Sequence, residues 1–442
     1  MGKLEQPAPM SGYAKRLAQR LGKEERANTD PWFWGYLFQG AVILGIAPIL
    51  IPIIVGRGES ASAVGLVVGA FYLGQVFSPI IGKIADETRW FAGFFLGGFI
   101  LIAAGCAGFI FFDSTIPWVI CALLQGIGAG MTNTTAFSYI VEFRPRPEWD
   151  GHLGWLQTFY GTGQAVGLLL AALLQSDTGF GMVLCAILMV PGLLLARVGL
   201  PSGGPRPRRT EPVHHSKPTM GSAISPASVV RHFEHFHPAG FVKGLACNLC
   251  TKYTLWITSW FFLMIGVWMV MNFLPLLMEA NYGISAGRSS LYYGVAATVG
   301  IFAYAPSGMW SQKIGAGKVV LIGSIGLIIT NVALVLLIPA DPTVQMILVP
   351  LFFAILPVAW SPLIVGGSAL AGELATFSQG AAMGIFNAAM AVASVAAAVV
   401  GGWIAQASSY GTVTVVATIA AVAGTVLLIP LLGQKEEAKP AK

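Results

Sequence analysis

The chain has 442 residues, of which 55% are hydrophobic and 10% charged, with a formal net charge of +6. Soluble domains carry about 25% charged residues, and no single core could hide this much apolar surface behind so few polar groups, so a soluble fold is excluded. The basic residues are not gathered in one patch but lie in short segments between apolar runs, which excludes a nucleic-acid partner and points to a lipid bilayer.

Residues 1–31 form a polar tail with Lys15, Arg16, Arg20, Lys23 and Arg26 and no apolar segment of the kind a cleavable signal needs. A membrane span needs roughly 20 mostly apolar residues to cross about 30 Å of hydrocarbon. Such stretches fall at 32–55, 62–82, 91–112, 117–140, 152–175 and 180–199. A polar segment follows at 200–253, and then come 254–278, 288–308, 318–338, 344–370, 379–406 and 411–432. The expected organisation is a tail (1–31), a six-helix bundle (32–199), a cytosolic linker (200–253), a second six-helix bundle (254–432) and a short tail (433–442). With both termini in the cytoplasm, only Arg57 and Arg288 of the 25 Lys and Arg residues fall outside. That bias sets the orientation by the positive-inside rule, in a plasma membrane such as the bacterial inner membrane. Trp32, Phe33, Trp34 and Tyr36, and further along Trp118 and Trp403, are expected at headgroup depth as an aromatic belt.

The linker is rich in Pro, Gly, His and basic residues. Within it, Ser225 reads as an N-cap and Pro226 as the first turn of a short helix. Val229, Phe233 and Phe236 give that helix an apolar stripe, so it is expected to lie on the cytosolic membrane face. His232, His235 and His237, with Cys247 and Cys250, do not have the spacing of a structural zinc site, and no metal is expected. Cys106, Cys121 and Cys185 lie inside apolar runs and read as small buried side chains.

The two halves resemble each other. Pro52, Pro79 and Gly82 near the first two span ends are matched by Pro275, Pro306 and Gly308 near the seventh and eighth. Glu142, Gly151 and Gly154 after the fourth span are matched by Glu373, Gly380 and Gly384 after the tenth. Repeated halves joined by a long loop are a transporter architecture, with the site between them. The segment Gly82-Lys83-Ile84-Ala85-Asp86-Glu87-Thr88-Arg89 resembles the loop motif that follows the second span in the major facilitator superfamily. Asp86 matches, Glu87 departs from the usual basic residue, and Arg89 stands where a Gly is usual. The second copy, Gly308 to Gly315, has Gln312 in place of the Asp but keeps Lys313 and Gly315. The resemblance runs over residues 30 to 432 and implies an all-α fold of twelve transmembrane helices in two pseudo-symmetric bundles. It also implies a carrier that works by alternating access, with Asp86, Arg89, Glu142, Arg144 and Glu373 as a cytosolic gate.

No Asp, Glu, Lys or Arg lies well inside any span, so the usual proton-relay hypothesis has no residue to name there. His152, at the start of the fifth span, is the nearest candidate. Relative to proton-linked drug exporters, Ala122 replaces the Arg before the Gln125-Gly126 pair, and the fifth-span stretch Gly161 to Gly167 lacks a Pro. These departures favour a neutral, zwitterionic or amphiphilic solute, since a buried fixed charge would be the simplest partner for an ionic one. A proton-coupled efflux antiporter is the second reading.

Helical spacing groups the polar residues. Gln157, Tyr160 and Gln164 share a face of the fifth span, and Gln125 and Thr132 share one in the fourth. Tyr36 and Gln39 pair in the first, as do Asn387 and Ser394 in the eleventh. The seventh carries Trp256 and Trp260, then Trp268 and Asn272, and Trp360 lies near the middle of the tenth. Gln39, Gln125, Gln157, Tyr160, Gln164, Trp260, Trp268, Asn272, Trp360 and Asn387 are the candidate solute-binding residues. Amides in hydrocarbon need partners, and the same residues could instead hold helices together. Pro48, Pro52, Pro275, Pro350, Pro357 and Pro362 mark hinges. No zinc-protease, nucleophile-elbow or nucleotide-loop motif is present, so an enzyme or an ATP-driven pump is not expected, and no ring of charges suggests a channel. No cofactor is expected, and the carrier should function as a monomer.

Overall fold

The computed structural model describes residues 30–88, 90–143, 149–200, 251–375 and 379–432. These residues are helical almost throughout, with no strand among them. That follows from the solvent: without water, a spanning segment must satisfy its own backbone groups, and a helix does so internally.

Twelve helical rods follow in chain order among the described residues. They are α1 (Phe33–Gly58), α2 (Ala61–Val76, continued over Ser78–Thr88), α3 (Phe91–Phe111) and α4 (Thr115–Phe143). Next come α5 (Trp149–Leu174), α6 (Thr178–Gly199) and α7 (Lys252–Met271, continued over Leu274–Tyr282). The last are α8 (Ala286–Ile314), α9 (Ala316–Leu337), α10 (Pro342–Leu374), α11 (Gln379–Ala407) and α12 (Tyr410–Leu431). Among the described residues, nine of these rods are long and apolar enough to cross a membrane. Twelve rods running alternately in opposite directions bring Asp30 and Leu432 out on one face, the tail face.

Local chemistry fixes many ends. Ser60, Asp177, Thr251, Asp341 and Ser409 each accept a hydrogen bond from a backbone N–H in the first turn of the following helix. Gly283 and Gly315 take positive φ (64° and 91°) and stop α7 and α8. The breaks inside rods sit beside proline: α7 is interrupted just before Pro275, and α10 at Ala354 between Pro350 and Pro357.

Several expectations are corrected. The segment after the second span is helix up to Thr88, because Pro79 starts a new helical turn and Lys83, Ala85 and Glu87 are good helix formers. Its counterpart after the eighth span is also helix, to Ile314, and ends only at Gly315. The N-terminal aromatics are not a belt: Trp32, Phe33 and Tyr36 are buried and only Trp34 is exposed. Trp32 packs against Phe33, Phe95 and Tyr139, since ring faces gain more inside the bundle than at its rim. Trp118 is buried and donates its indole N–H to Phe112 O at 2.7 Å, whereas Trp403 is exposed. The linker helix, its histidines, Cys247, Cys250 and both tails lie outside the described residues.

Rods pack through glycine. A Cβ on Gly163 or Gly167 would collide with the α1 backbone at Leu37 and Ala41, so α1 and α5 touch main chain to main chain. From the second of these contacts onward α1 carries a π-helical stretch, Ala41–Ile46. Within the second half, Gly424 brings α12 against Leu263 and Ser259 of α7, and Ser259 donates to Gly424 O at 2.7 Å.

Candidate functional site

The two halves meet along two seams, α2 with α11 and α5 with α8. Far from the tail face both seams are shut. Gly65 of α2 lies against Ala398 and Gly402 of α11, and the Ser62 N–H donates to Gln406 Oε1 at 3.2 Å. The Gly287 N–H of α8 donates to Gln175 Oε1 at 2.6 Å, just beyond the end of α5. Toward the tail face both seams part among the described residues. Asn387 lies eleven residues before Ala398, on the same side of α11, and is exposed. Leu73 lies four residues beyond Gly69 and is also exposed. Gly308 shares a side of α8 with Ile301, which faces Gly161, yet a Cβ on Gly308 would meet nothing within 4 Å. Among the described residues, the conformation is closed on one face and parted on the other.

At the depth where the seams part lies a cluster of uncharged polar and aromatic groups. The close α1–α5 approach lays Tyr36 flat on Tyr160, with centroids 4.6 Å apart at 24°. The Tyr36 hydroxyl and Gln39 Nε2 both donate to Asn133 Oδ1 of α4, each at 2.9 Å. The Tyr160 hydroxyl lies within hydrogen-bonding reach of the same Asn133. Gln164 Nε2 donates across the α5–α8 seam to the Tyr293 hydroxyl at 3.0 Å. Tyr72 of α2 lies near Tyr160 and Tyr293 and packs on Trp268 of α7 at 5.2 Å. Trp268 in turn meets Trp360 of α10 at 5.9 Å, and Trp360 and Ser361 reach the Tyr304 hydroxyl. The cluster therefore reaches from α1 to α10, across both halves.

Two of its buried polar atoms have no partner: Gln39 Oε1 and Trp268 Nε1. A buried donor or acceptor left unpaired costs about 1–3 kcal/mol, so these atoms are where a ligand would gain most.

Of the residues singled out by sequence, Gln39, Tyr160, Gln164, Trp268 and Trp360 are brought together here. Gln157 and Asn387 are exposed on the parted side. Gln125 and Thr132 do share a face, but that face packs on Gly105 and Gly98 of α3, inside the first half and away from the seams. Trp260 is fully buried and stacks on Phe386 at 4.5 Å, within the second half. Asn272 reaches Ser394 O at 3.5 Å, an α7–α11 contact of the helix-joining kind. Glu373 is exposed at the tail-face end of α10. Arg89, Arg144 and the side chains of Asp86 and Glu142 lie outside the described residues. His152 is buried near the tail-face end of α5.

Asn133, Tyr72, Tyr293 and Tyr304 were missed. Tyr72 extends the Gly65–Gly69 stripe at helical spacing, which is a readable signal for a seam residue. Asn133 follows Thr132 directly, and spacing from Gln125 selects the wrong neighbour of the two.

The family model described as Major Facilitator Superfamily matches residues 32–376, and again 261–442. The chain belongs to the Major Facilitator Superfamily. This superfamily member shares its fold with solved transporters of low sequence identity. One is the nucleoside transporter NupG, with 11% identity, TM-score 0.68, and 92% of this chain and 98% of that one covered. Another is a D-xylose–proton symporter, with 15% identity, TM-score 0.67, and 90% and 95% covered. A third is a POT family transporter in complex with a thioalcohol-conjugated peptide, with 15% identity, TM-score 0.67, and 91% and 96% covered. No curated protein matches the superfamily member. It is an integral membrane protein of a transporter family.

Proposed function

We propose that the protein is a secondary carrier that moves a small neutral, zwitterionic or amphiphilic organic solute across a plasma membrane by alternating access. The observation that carries this reading is the Gln164–Tyr293 hydrogen bond. It crosses between the halves where a closed seam gives way to a parted one, so a solute bound there touches both. Residues 32–199 and 254–432 act as the two rocking bodies, joined by 200–253, and one copy suffices. With the tails in the cytoplasm, the described conformation opens inward. Asp86, Arg89, Glu142, Arg144 and Glu373 would form the cytosolic gate on the tail face. A solute shifts the two states only by its differential affinity for them, and a cluster split between the halves supplies that difference.

The test uses purified protein in liposomes with a weakly buffered lumen at zero membrane potential, given a panel of neutral and amphiphilic solutes. Saturable uptake accelerated by counterflow, without lumenal pH change, supports the reading. Solute-dependent acidification or alkalinisation would replace it with proton coupling, through His152, Asp86 or Glu142. No saturable flux of any panel member would overturn the carrier reading itself.

A further inference from the structure

If the protein is a carrier, the same cluster also carries information about the shape of its solute. Of three flat aromatic surfaces, two are already covered. Tyr36 and Tyr160 cover each other at 24°, and Trp260 and Phe386 cover each other at 21°. Trp268 differs. Its neighbours Tyr72 and Trp360 meet it at 55° and 71°, so neither lies flat on it, and it is only partly buried. Aromatic faces prefer an offset parallel partner or an edge. Here the edges are in place and a parallel partner is lacking.

The polar atoms add the second half. Trp268 Nε1 is a buried donor without an acceptor, and Gln39 Oε1 is a buried acceptor without a donor. Both belong to the same cluster, Gln39 through Asn133 and Trp268 through Tyr72. None of its members carries a formal charge, so an ion would lose its hydration there without an opposite charge in return.

We propose that the solute is a flat, uncharged ring compound that carries both a hydrogen-bond donor and an acceptor on its rim, a proposal that rests on the carrier function. The ring stacks on Trp268, framed by Tyr72 and Trp360. A rim carbonyl or ring nitrogen accepts from Trp268 Nε1, and a rim N–H donates to Gln39 Oε1. Trp268 is thus the specificity-determining residue: its ring selects planarity and its N–H selects an acceptor.

The experiment compares probes with the same lactam edge and different shape: uracil and hypoxanthine, which are flat, and dihydrouracil, which is puckered. Orotate adds a carboxylate to the flat ring, and xylose supplies an uncharged solute without a flat face. Each is offered to liposomes holding the full-length protein, and saturable counterflow is measured. The expected order is flat uncharged rings above dihydrouracil, with orotate and xylose at background. Trp268→Leu lowers apparent affinity for the flat probe by about 5- to 150-fold, the range for loss of a stacked aromatic. Trp268→Phe keeps the ring and loses the N–H, so it falls between wild type and Trp268→Leu. Since both variants retain an apolar side chain, the thermal midpoint of each checks that it still folds. Saturable flux of xylose alone, or equal flux of uracil and dihydrouracil, would overturn the ring proposal and leave the carrier reading intact. Unchanged flat-probe affinity in both folded variants would overturn it as well. Absence of saturable flux for every probe, together with none across the wider solute panel, would overturn both.

Discussion

Replacing Gly402 by alanine is a direct test of whether the closed seam is one of two states. The added Cβ would lie 2.7 Å from Ala61 O and 2.9 Å from Gly65 Cα. Comfortable contacts between such atoms are roughly 3.5 Å. Both partners are main chain, so neither can rotate aside. Overpacking of this kind costs about 1–3 kcal/mol. The cost falls only on the state in which α2 and α11 touch, so the population ratio should move by about 5- to 150-fold toward separation at 1.4 kcal/mol per factor of ten. Spin labels on cysteines introduced at Ser60 and Ser408, both at the closed face, would report the distance by pulsed electron resonance. The background would carry Cys247→Ser and Cys250→Ser, while the buried Cys106, Cys121 and Cys185 stay. The short-distance population should shrink in Gly402→Ala. It should persist in Gly308→Ala, where a Cβ meets nothing within 4 Å. An unchanged distance distribution and thermal midpoint in Gly402→Ala would refute the reasoning, because the seam would then yield without separating.

Three further outcomes are expected. Gln125→Leu replaces a fully buried amide whose Nε2 and Oε1 both lack partners, so stability should rise by about 1–3 kcal/mol in a denaturation assay with flux unaltered; a fall in flux would place Gln125 in the solute path after all. Asn133→Leu removes the acceptor shared by Tyr36 and Gln39, and solute binding should weaken about 5- to 150-fold, equivalent to about 1–3 kcal/mol for stranded polar groups; wild-type affinity would remove the cluster from the site. Tyr293→Phe takes away the acceptor of Gln164, and loss of one hydrogen bond worth about 0.5–1.5 kcal/mol should shift the two-state ratio about two- to twelvefold in the same distance measurement. No shift there would mean that the bond persists in both states or contributes nothing.

The helices were legible because the bilayer demands long apolar runs, and no other code is needed to find them. Their ends were less so. The stretch from Lys83 to Thr88 is polar enough to read as a loop, but polarity marks the membrane boundary and not the end of the helix. Trp32 and Phe33 show a related ambiguity: aromatic residues near a span end suit both the headgroup layer and the bundle interior, and only neighbours such as Phe95 and Tyr139 decide. Within the site, periodicity found Gln164 and Trp268 because it tells which residues share a face. It cannot tell which face meets which helix. Gln125 was selected by a sound spacing argument and turned out to face the glycines of α3. Asn133, one position beyond Thr132, faces α1 because Gly128 already commits the other side of α4 to α3.

The π-helical stretch at Ala41–Ile46 separates the Tyr36–Gln39 turn from the Pro48–Pro52 end of α1. An ordinary helix transmits rotation from end to end as a rigid shaft. A π turn breaks that rigidity, because it can migrate by exchanging one backbone hydrogen bond at a time, and each step re-aims the residue it passes by roughly 100°. The first rod is thus jointed in the manner of a screw. A π turn that moved toward Gln39 would re-aim that turn while the proline-bearing end keeps its seat.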